Sequence, residues 1–388
     1  MDKNKLYMFR AIELARKGRY DAHPNPMVGA VIVKAGKIIG EGTHLRFGGP
    51  HAEINALRGC VASPKGAALY VTLEPCSTYG KTPPCTEAVI KAGIKRVIIG
   101  AQDPNPANSG KAAELLRRAG IKVKIGSMAK ECAALNPAFN KFMRTGIPFV
   151  TLKAAQSLDG KIADSAGRSR WISGPEARRE THKLRAEADA VLAGIGTVLA
   201  DDPLLNVRGV AVKRQPLIVV LDSSFRVPAD ARIFKNERVI VATTRRASVT
   251  AIKKPGRTVE ILVLPSGGGG RVSLPALLKE LGAIGVAHLL VEGGGKVLGS
   301  FISEGLADRF ICFTSPLIIG GVESKSSVVW PDTLNAERKE LGVRIKTAGV
   351  KRCGEDLMLD FSLNPETFPV GRRAPAKPWS KAELCSLE

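Results

Sequence analysis

His51, Glu53, Cys76 and Cys85 are the residues of this chain best placed to do chemistry together. His51-Ala52-Glu53 opens a segment with helical patterning, while Pro75-Cys76 and Pro84-Cys85 follow an apolar run that reads as a strand. One imidazole and two thiolates form a ligand set that zinc accepts tetrahedrally, and three protein ligands leave a fourth position for water. The metal lowers the pKa of that water to about 7, so it becomes a nucleophile at neutral pH. Glu53, next but one to the imidazole, is free to carry protons. Singly, each residue has a plainer reading: a histidine can simply be satisfied at a helix end, and a lone cysteine is most often a small buried apolar residue. Their joint occurrence in this order favours a metal centre with one Zn2+ per chain. Asn25, between two prolines, reads as a turn former or as a substrate contact. His44 and Cys60 have no partner motif and read as structural.

A second constellation is Glu292-Gly293-Gly294-Gly295. A strand ending at Val291 runs into glycines and then a helix, so free backbone N–H groups and the helix dipole can face a diphosphate. Taken alone, such a turn serves equally well for tight geometry. Val239–Ala242 reads as a strand that leads into Thr243-Thr244-Arg245-Arg246, where a cationic loop could clamp the 2′-phosphate that separates NADPH from NADH, or be an ordinary basic turn.

The elements that must position these residues alternate along the chain. Residues 3–18 read as helix, Val28–Val33 and Lys37–Gly42 as strands around an Ala35-Gly36 turn, and Ala52–Gly59 as helix. Ala67–Leu73, Lys95–Gly100 and Ile121–Ile125 read as strands separated by helices at Thr86–Ala92 and Gly110–Ala119. Near Gly146-Ile147-Pro148 the pattern restarts with strand Phe149–Ala155. Strands are expected at Ala190–Ala193, Leu217–Leu221, Val239–Ala242, Glu260–Leu264, His288–Val291 and Arg309–Thr314, with a C-terminal hairpin of Val343–Lys346 and Leu357–Phe361. Helices are expected at Glu176–Glu187, Leu274–Leu281 and Lys296–Ser303, and Gly267–Gly270 as a flexible surface loop. This is an α/β pattern, divided into domains over 1–146 and 147–364 and a Pro- and charge-rich tail over 365–388.

Beyond the ligands, the segments Pro24-Asn25-Pro26-Met27-Val28-Gly29, Gly49-Pro50-His51-Ala52-Glu53, Ser77 to Pro84 and Asp103-Pro104-Asn105-Pro106 resemble the zinc deaminases of riboflavin biosynthesis. From Pro148 to about Phe361 the chain resembles the reductase half of the same bifunctional family, through Leu152 to Lys161, Ser169 to Ser173, Leu184-Arg185-Ala186, Gly196 to Pro203 and Glu292 to Gly295. The resemblance implies a cytidine-deaminase-like three-layer domain followed by a dihydrofolate-reductase-like domain. A doubly wound dinucleotide fold is not expected, since no Gly-x-Gly-x-x-Gly follows the first strand of the second half. Metal ligands His51, Cys76 and Cys85, proton shuttle Glu53 and substrate contact Asn25 are implied for the first site. For the second, Ala155, Trp171, Thr197, Asp201 and the run Gly294, Gly295, Lys296, Val297, Leu298, Gly299 and Ser300 are implied to line an NADPH cleft. Ser169, Arg185, Leu205, Arg208 and Glu292 are implied substrate contacts, the guanidinium groups suiting a 5′-phosphate by geometry. The implied reactions replace an amino group of a phosphoribosylated diaminopyrimidinone by oxygen and then deliver hydride to C1 of the sugar. Two positions depart from the family pattern: Thr78 stands where His is usual, and Asn108 follows Ala107 where Val is usual.

Composition bounds the alternatives. A formal charge of +22 attracts anions of any kind, but the basic residues are dispersed and aromatics make up only 5%, which favours phosphorylated small molecules over nucleic acid. Seven scattered cysteines suit reduced thiols or metal ligands, and no apolar run is long enough to span a bilayer, so a cytoplasmic enzyme without membrane contact is expected, assembled as a homo-oligomer. Two other readings stay open: a deaminase whose C-terminal half is only scaffold, and a basic deaminase acting on nucleic acid.

Overall fold

A computed structural model describes residues 3–79, 83–106, 108–245, 256–331 and 342–363, the side chain of Ala348 excepted. Arg246 of the expected 2′-phosphate loop and the tail expected over 365–388 lie outside these residues. The chain divides into two compact units, Met1–Thr145 and Gly146–Glu388. Among the described residues, no helix is long and apolar enough to cross a membrane.

In the first unit, helix α1 (Lys3–Ala15) precedes β1 (Gly29–Lys34), β2 (Lys37–Thr43), α2 (Ala52–Arg58), β3 (Ala68–Leu73), α3 (Cys85–Lys91), β4 (Arg96–Ala101), α4 (Lys111–Arg118), β5 (Lys122–Ile125), α5 (Ala129–Ala133) and α6 (Pro137–Thr145). Strand order is β2-β1-β3-β4-β5, antiparallel across the first three strands and parallel across the last three. The hairpin turn places Ala35 and Gly36 both at positive φ, the conformation that matches the twist of paired strands. Side chains alternate between two cores: Ala30, Ile32, Leu69 and Val97 pack with α2, α3 and α4, whereas Val31, Val33, Tyr70 and Ile98 pack with α1 and α5. Three layers result. Gly42 lets α2 approach β2 closely, since a Cβ there would meet the Ala52 carbonyl at 2.0 Å.

The second unit contains β6 (Phe149–Gln156), β7 (Lys161–Ala163), α7 (Pro175–Glu187), β8 (Ala190–Gly194), α8 (Ile195–Asp201), β9 (Leu217–Leu221), β10 (Arg238–Thr243), β11 (Thr258–Val263), α9 (Leu274–Ala283), β12 (His288–Val291), α10 (Gly295–Ser303), β13 (Arg309–Thr314), β14 (Lys325–Ser326), β15 (Lys346–Cys353) and β16 (Asp356–Ser362). Its main sheet has the order β11-β10-β9-β8-β12-β6-β13-β16-β15. The first seven strands in that order are parallel, and β16 and β15 are added antiparallel. The parallel strands are nearly continuous apolar runs because both faces are covered. Val150, Leu152 and Val291 pack with α9 and α10, while Val191, Leu290 and Ile311 pack with α7 and α8. Open parallel sheets bind ligands beyond the carboxyl ends of their strands, and the glycine turn after β12 lies at that edge.

One expectation is corrected. The first hairpin strand is not Val343–Lys346 but β15, which begins at Lys346 and turns at Gly354, whose φ is +66°. It is an exposed edge strand, so its Lys and Arg residues mark a protected edge and not a loop. Gly267–Gly270 is exposed: Gly268–Gly270 forms a 3₁₀ turn, closed by a bridge between Ser266 and Val272 and by the Gly267 N–H donating to the Arg271 carbonyl at 2.6 Å.

Candidate functional sites

In the first unit, three loops converge at one end of the sheet. His51 is the residue that caps the start of α2, Cys76 follows β3, and Cys85 is the first residue of α3 behind Pro84. His51 Nδ1 lies 3.5 Å from Cys76 Sγ and 3.3 Å from Cys85 Sγ, and the three potential ligand atoms all lie within 4.8 Å of one another. The Cys85 N–H donates to Cys76 Sγ at 3.1 Å. Donation from the Cys85 thiol, aided by His51, pulls the Cys76 thiol down to about 4, and the resulting thiolate holds the Cys85 thiol well above its ordinary range. Two sulfurs thus compete for one negative charge, a conflict that a cation between them removes, so the donor set fits zinc. Glu53 is 3% exposed and is pushed up to about 7 by burial and then by the Cys76 charge.

Asn25 is brought to this site through a residue that the sequence left as structural. Its Nδ2 lies 3.1 Å from Nε2 of buried His44, whose Nδ1 faces the Pro50 carbonyl at 3.1 Å and whose ring meets His51 edge-on at 5.3 Å. Asn136 clamps the same loop: its side chain accepts the Met27 N–H at 2.7 Å and donates to the Met27 carbonyl at 2.9 Å. Glu74, buried just before Pro75-Cys76, accepts the N–H groups of Asp103, Gly110 and Ala113, which caps α4 and ties the Asp-Pro-Asn-Pro loop to the cysteines. A buried acid directly before a Pro-Cys pair was the available signal for it. Burial raises Asp103, opposed by the Asn105 N–H and the Asn108 side chain, so Asn108 is a partner of this loop. Thr78 is exposed.

At the second site, Arg185 and Glu292 form a bidentate pair across 107 residues, with Nε–Oε1 2.6 Å and Nη2–Oε2 3.0 Å. Arg185 Nη1 also donates to the Asn206 carbonyl at 3.0 Å. Three of the five guanidinium donors are therefore spent inside the protein, and two remain for a ligand. Burial alone would raise Glu292, but the charges of Arg185 and Lys153 outweigh it and hold the carboxyl below its ordinary range. Lys153, absent from the sequence expectation, lies 3.9 Å from Glu292 and over the Phe313 ring, and burial lowers its pKa. Arg208 is exposed; burial and the charges of Arg185 and Arg232 lower it, so uncompensated positive charge gathers here. Arg232, a basic residue in a 3₁₀ turn, carried no sequence signal.

The glycine turn fits a diphosphate. Among the described residues, the N–H groups of Gly294, Gly295 and Lys296 have no acceptor, and they stand at the start of a helix nine residues long. A Cβ on Gly294 would sit 3.7 Å from Thr197 Oγ1, so these two expected residues are neighbours. Within the rest of that run, Leu298 is 1% exposed in the core, Val297 packs against the same core, Gly299 lies against the Val329 carbonyl, where a Cβ would approach to 1.8 Å, and Ser300 Oγ bonds back to the Lys296 carbonyl. Leu205, at φ +58°, is likewise buried. Trp171 is 71% exposed with the Arg178 guanidinium 4.5 Å from its ring centre, and neighbouring Arg170 donates to the Asp201 carbonyl at 2.9 Å. Ala155 packs toward the core on the α7 side, and Ser169 is half-buried.

Comparison with known proteins covers both units. A family model described as "Cytidine and deoxycytidylate deaminase zinc-binding region" matches residues 1–101, and one described as "RibD C-terminal domain" matches residues 148–359. The riboflavin biosynthesis protein RibD of Aquifex aeolicus is 42% identical over 93% of this chain and 98% of its own length, and that of Escherichia coli 42% over 82% and 89%. Among solved structures, RibD of Acinetobacter baumannii superposes with a TM-score of 0.82 at 38% identity, covering 93% of this chain and 99% of that one. A diaminohydroxyphosphoribosylaminopyrimidine deaminase/5-amino-6-(5-phosphoribosylamino)uracil reductase from Thermotoga maritima gives 0.81 at 37% identity over 93% and 99%. With a cluster of residues that could hold a metal in one unit, a glycine turn opening a helix in the other and relatives matched along nearly their whole length, the chain belongs to the RibD family of bifunctional riboflavin-biosynthesis deaminase-reductases.

Proposed function

We infer that the chain catalyses in succession the two reactions named for the Thermotoga neighbour, deamination of a diaminohydroxyphosphoribosylaminopyrimidine in the first unit and reduction of 5-amino-6-(5-phosphoribosylamino)uracil in the second. The observation that carries this reading is that both constellations are complete in one chain: His51, Cys76 and Cys85 converge beside buried Glu53, and the glycine turn adjoins the Arg185–Glu292 pair.

His51, Cys76 and Cys85 hold zinc, which when bound supplies the Lewis acidity that makes water nucleophilic at neutral pH. Glu53 takes one proton of the attacking water and passes it to the ring nitrogen, then takes the remaining proton from the hydroxyl so added and passes it to the amino group, which leaves as ammonia. Its burial beside the three ligands suits it to that transfer. Asn25, held by His44, orients the ring. In the second unit NADPH supplies the hydride that converts the ribosyl group to ribityl. The N–H groups of Gly294, Gly295 and Lys296 hold its diphosphate, Val297 to Ser300 seat that helix, and Ala155, Trp171, Thr197 and Asp201 border the cleft. Arg208 meets the 5′-phosphate of the substrate, while Ser169, Leu205, Arg185 and its partner Glu292 contact the rest of the substrate. The partners are phosphorylated pyrimidines and not nucleic acid, and a homo-oligomeric, cytoplasmic protein completes the proposal. Six free thiols among the described residues suit a reducing compartment.

The test follows ammonia release and NADPH oxidation separately in one sample given the diaminopyrimidine substrate. Both signals are expected, with ammonia first. Ammonia without NADPH oxidation would reduce the second unit to scaffold, and deamination of an oligonucleotide without ammonia from the small pyrimidine would overturn the reading.

A further inference from the structure

Helix α7 presents a histidine to the loop that carries Arg208. His182 stands one turn before Arg185, and its Nδ1 accepts the Arg208 backbone N–H at 3.1 Å. The loop is not relaxed. Leu205 occupies the left-handed region at φ +58°, and the backbone is held from three sides: Arg185 Nη1 on the Asn206 carbonyl, Gln215 on both the N–H and carbonyl of Val207, and His182 on Arg208. The Asn206 side chain then accepts from Arg208 Nη1 at 2.7 Å, which aims the guanidinium.

We propose that His182 is a positioning residue of the reductase site: by accepting the Arg208 N–H it fixes the 205–208 segment so that the Arg208 guanidinium stands ready for the substrate's phosphate. Only an uncharged imidazole can accept at Nδ1. Burial, with the charges of Arg185 and Arg208, lowers His182 to about 4 against the opposing pull of Glu292, so the acceptor form prevails at neutral pH. The arrangement also explains why a histidine sits among guanidinium groups: a cation at that position would repel both arginines, and an aliphatic residue would leave the Arg208 N–H to water and the segment without this tie.

The inference rests on Arg208 as the phosphate contact, and the experiment separates the two claims. KM and kcat for NADPH oxidation are measured with 5-amino-6-(5-phosphoribosylamino)uracil and with the same compound lacking phosphate, for the parent, H182N, H182Q, R208A and the R208A/H182Q double variant. Asn places an oxygen where Nδ1 stands, whereas Gln places one where Nε2 stands. H182Q is expected to raise KM for the phosphorylated compound about tenfold, the scale of one lost hydrogen bond, with kcat nearly unchanged. H182N should stay near the parent, the phosphate-free compound should be indifferent to both, and the double variant should match R208A. A parental KM in H182Q beside a raised KM in R208A overturns the positioning role, as do equal effects on both compounds or effects that add in the double variant. A parental KM in R208A overturns instead the assignment of Arg208. Melting curves and the deamination rate monitor the fold, and H182A replaces H182Q if the latter melts below the assay temperature.

Discussion

At the scale of single residues the first centre turns on sulfur. Cys85 is 1% exposed, and a hydroxyl in its place would be a weak zinc ligand. Cys85→Ser is expected to fall from close to one zinc per chain to a small fraction and to lose deamination, while NADPH oxidation with the deaminated intermediate persists. Metal analysis by atomic absorption checks it, and stoichiometric zinc in the variant removes Cys85 from the ligand set. His51, Glu53, Cys76 and Cys85 were legible in the sequence because His51 and Cys85 stand at helix starts and Cys76 shortly after a strand, where local signals are strong. His44, Lys153 and His182 were not. Their roles come from partners far along the chain: Asn25 for His44, Glu292 for Lys153 and Arg208 for His182. In a single sequence each reads as an ordinary basic residue.

Elements carry the next level of organisation, and the turn at Asp159 shows how a loop is pinned to a strand end. Asp159 accepts the Ser157 hydroxyl at 2.6 Å and the N–H groups of Ile319 and Gly320 at 3.1 and 2.8 Å, and these bonds hold its carboxyl down at about 2. A carboxyl with a lowered folded-state pKa contributes stability that is complete above the unfolded value of about 3.9 and is lost as pH falls toward the folded value. Asp159→Asn should therefore lower the urea midpoint at pH 7, and its deficit relative to the parent should shrink between pH 5 and pH 3. A deficit constant across that range assigns the loss to packing and not to the ionised carboxylate. The sequence did not show that Asp159 pairs with the loop at Ile319 and Gly320. It also hid α8: Ile195-Gly196-Thr197-Val198 has poor helix propensity, and the helix forms because β8 must be followed by an element that buries Val198. Long apolar strands such as Leu217–Leu221 and His288–Val291 were read at their observed limits, since a strand covered on both faces leaves a continuous signal.

For the whole molecule the question is whether two chemistries in one chain act as separate machines, and Glu53 gives access to it. Glu53 lies in the unit Met1–Thr145 and is not one of the three residues whose ligand atoms cluster. Glu53→Gln preserves size and removes the proton carrier, so zinc should be retained at close to one per chain while deamination falls by about 10² to 10⁴ or more, the range attributed to general acid–base groups. The glycine turn, the Arg185–Glu292 pair and Lys153 all belong to the second unit, each core being closed by its own helices. The variant should then oxidise NADPH at the parental rate when given the deaminated intermediate and at almost no rate when given the diaminopyrimidine, because the second reaction receives nothing from the first. Parent and variant are compared with both compounds by the loss of NADPH absorbance, with zinc measured on the same preparations. Retained zinc with lost reduction of the deaminated intermediate would mean that the first site governs the second, and the independence of the two units would have to be abandoned.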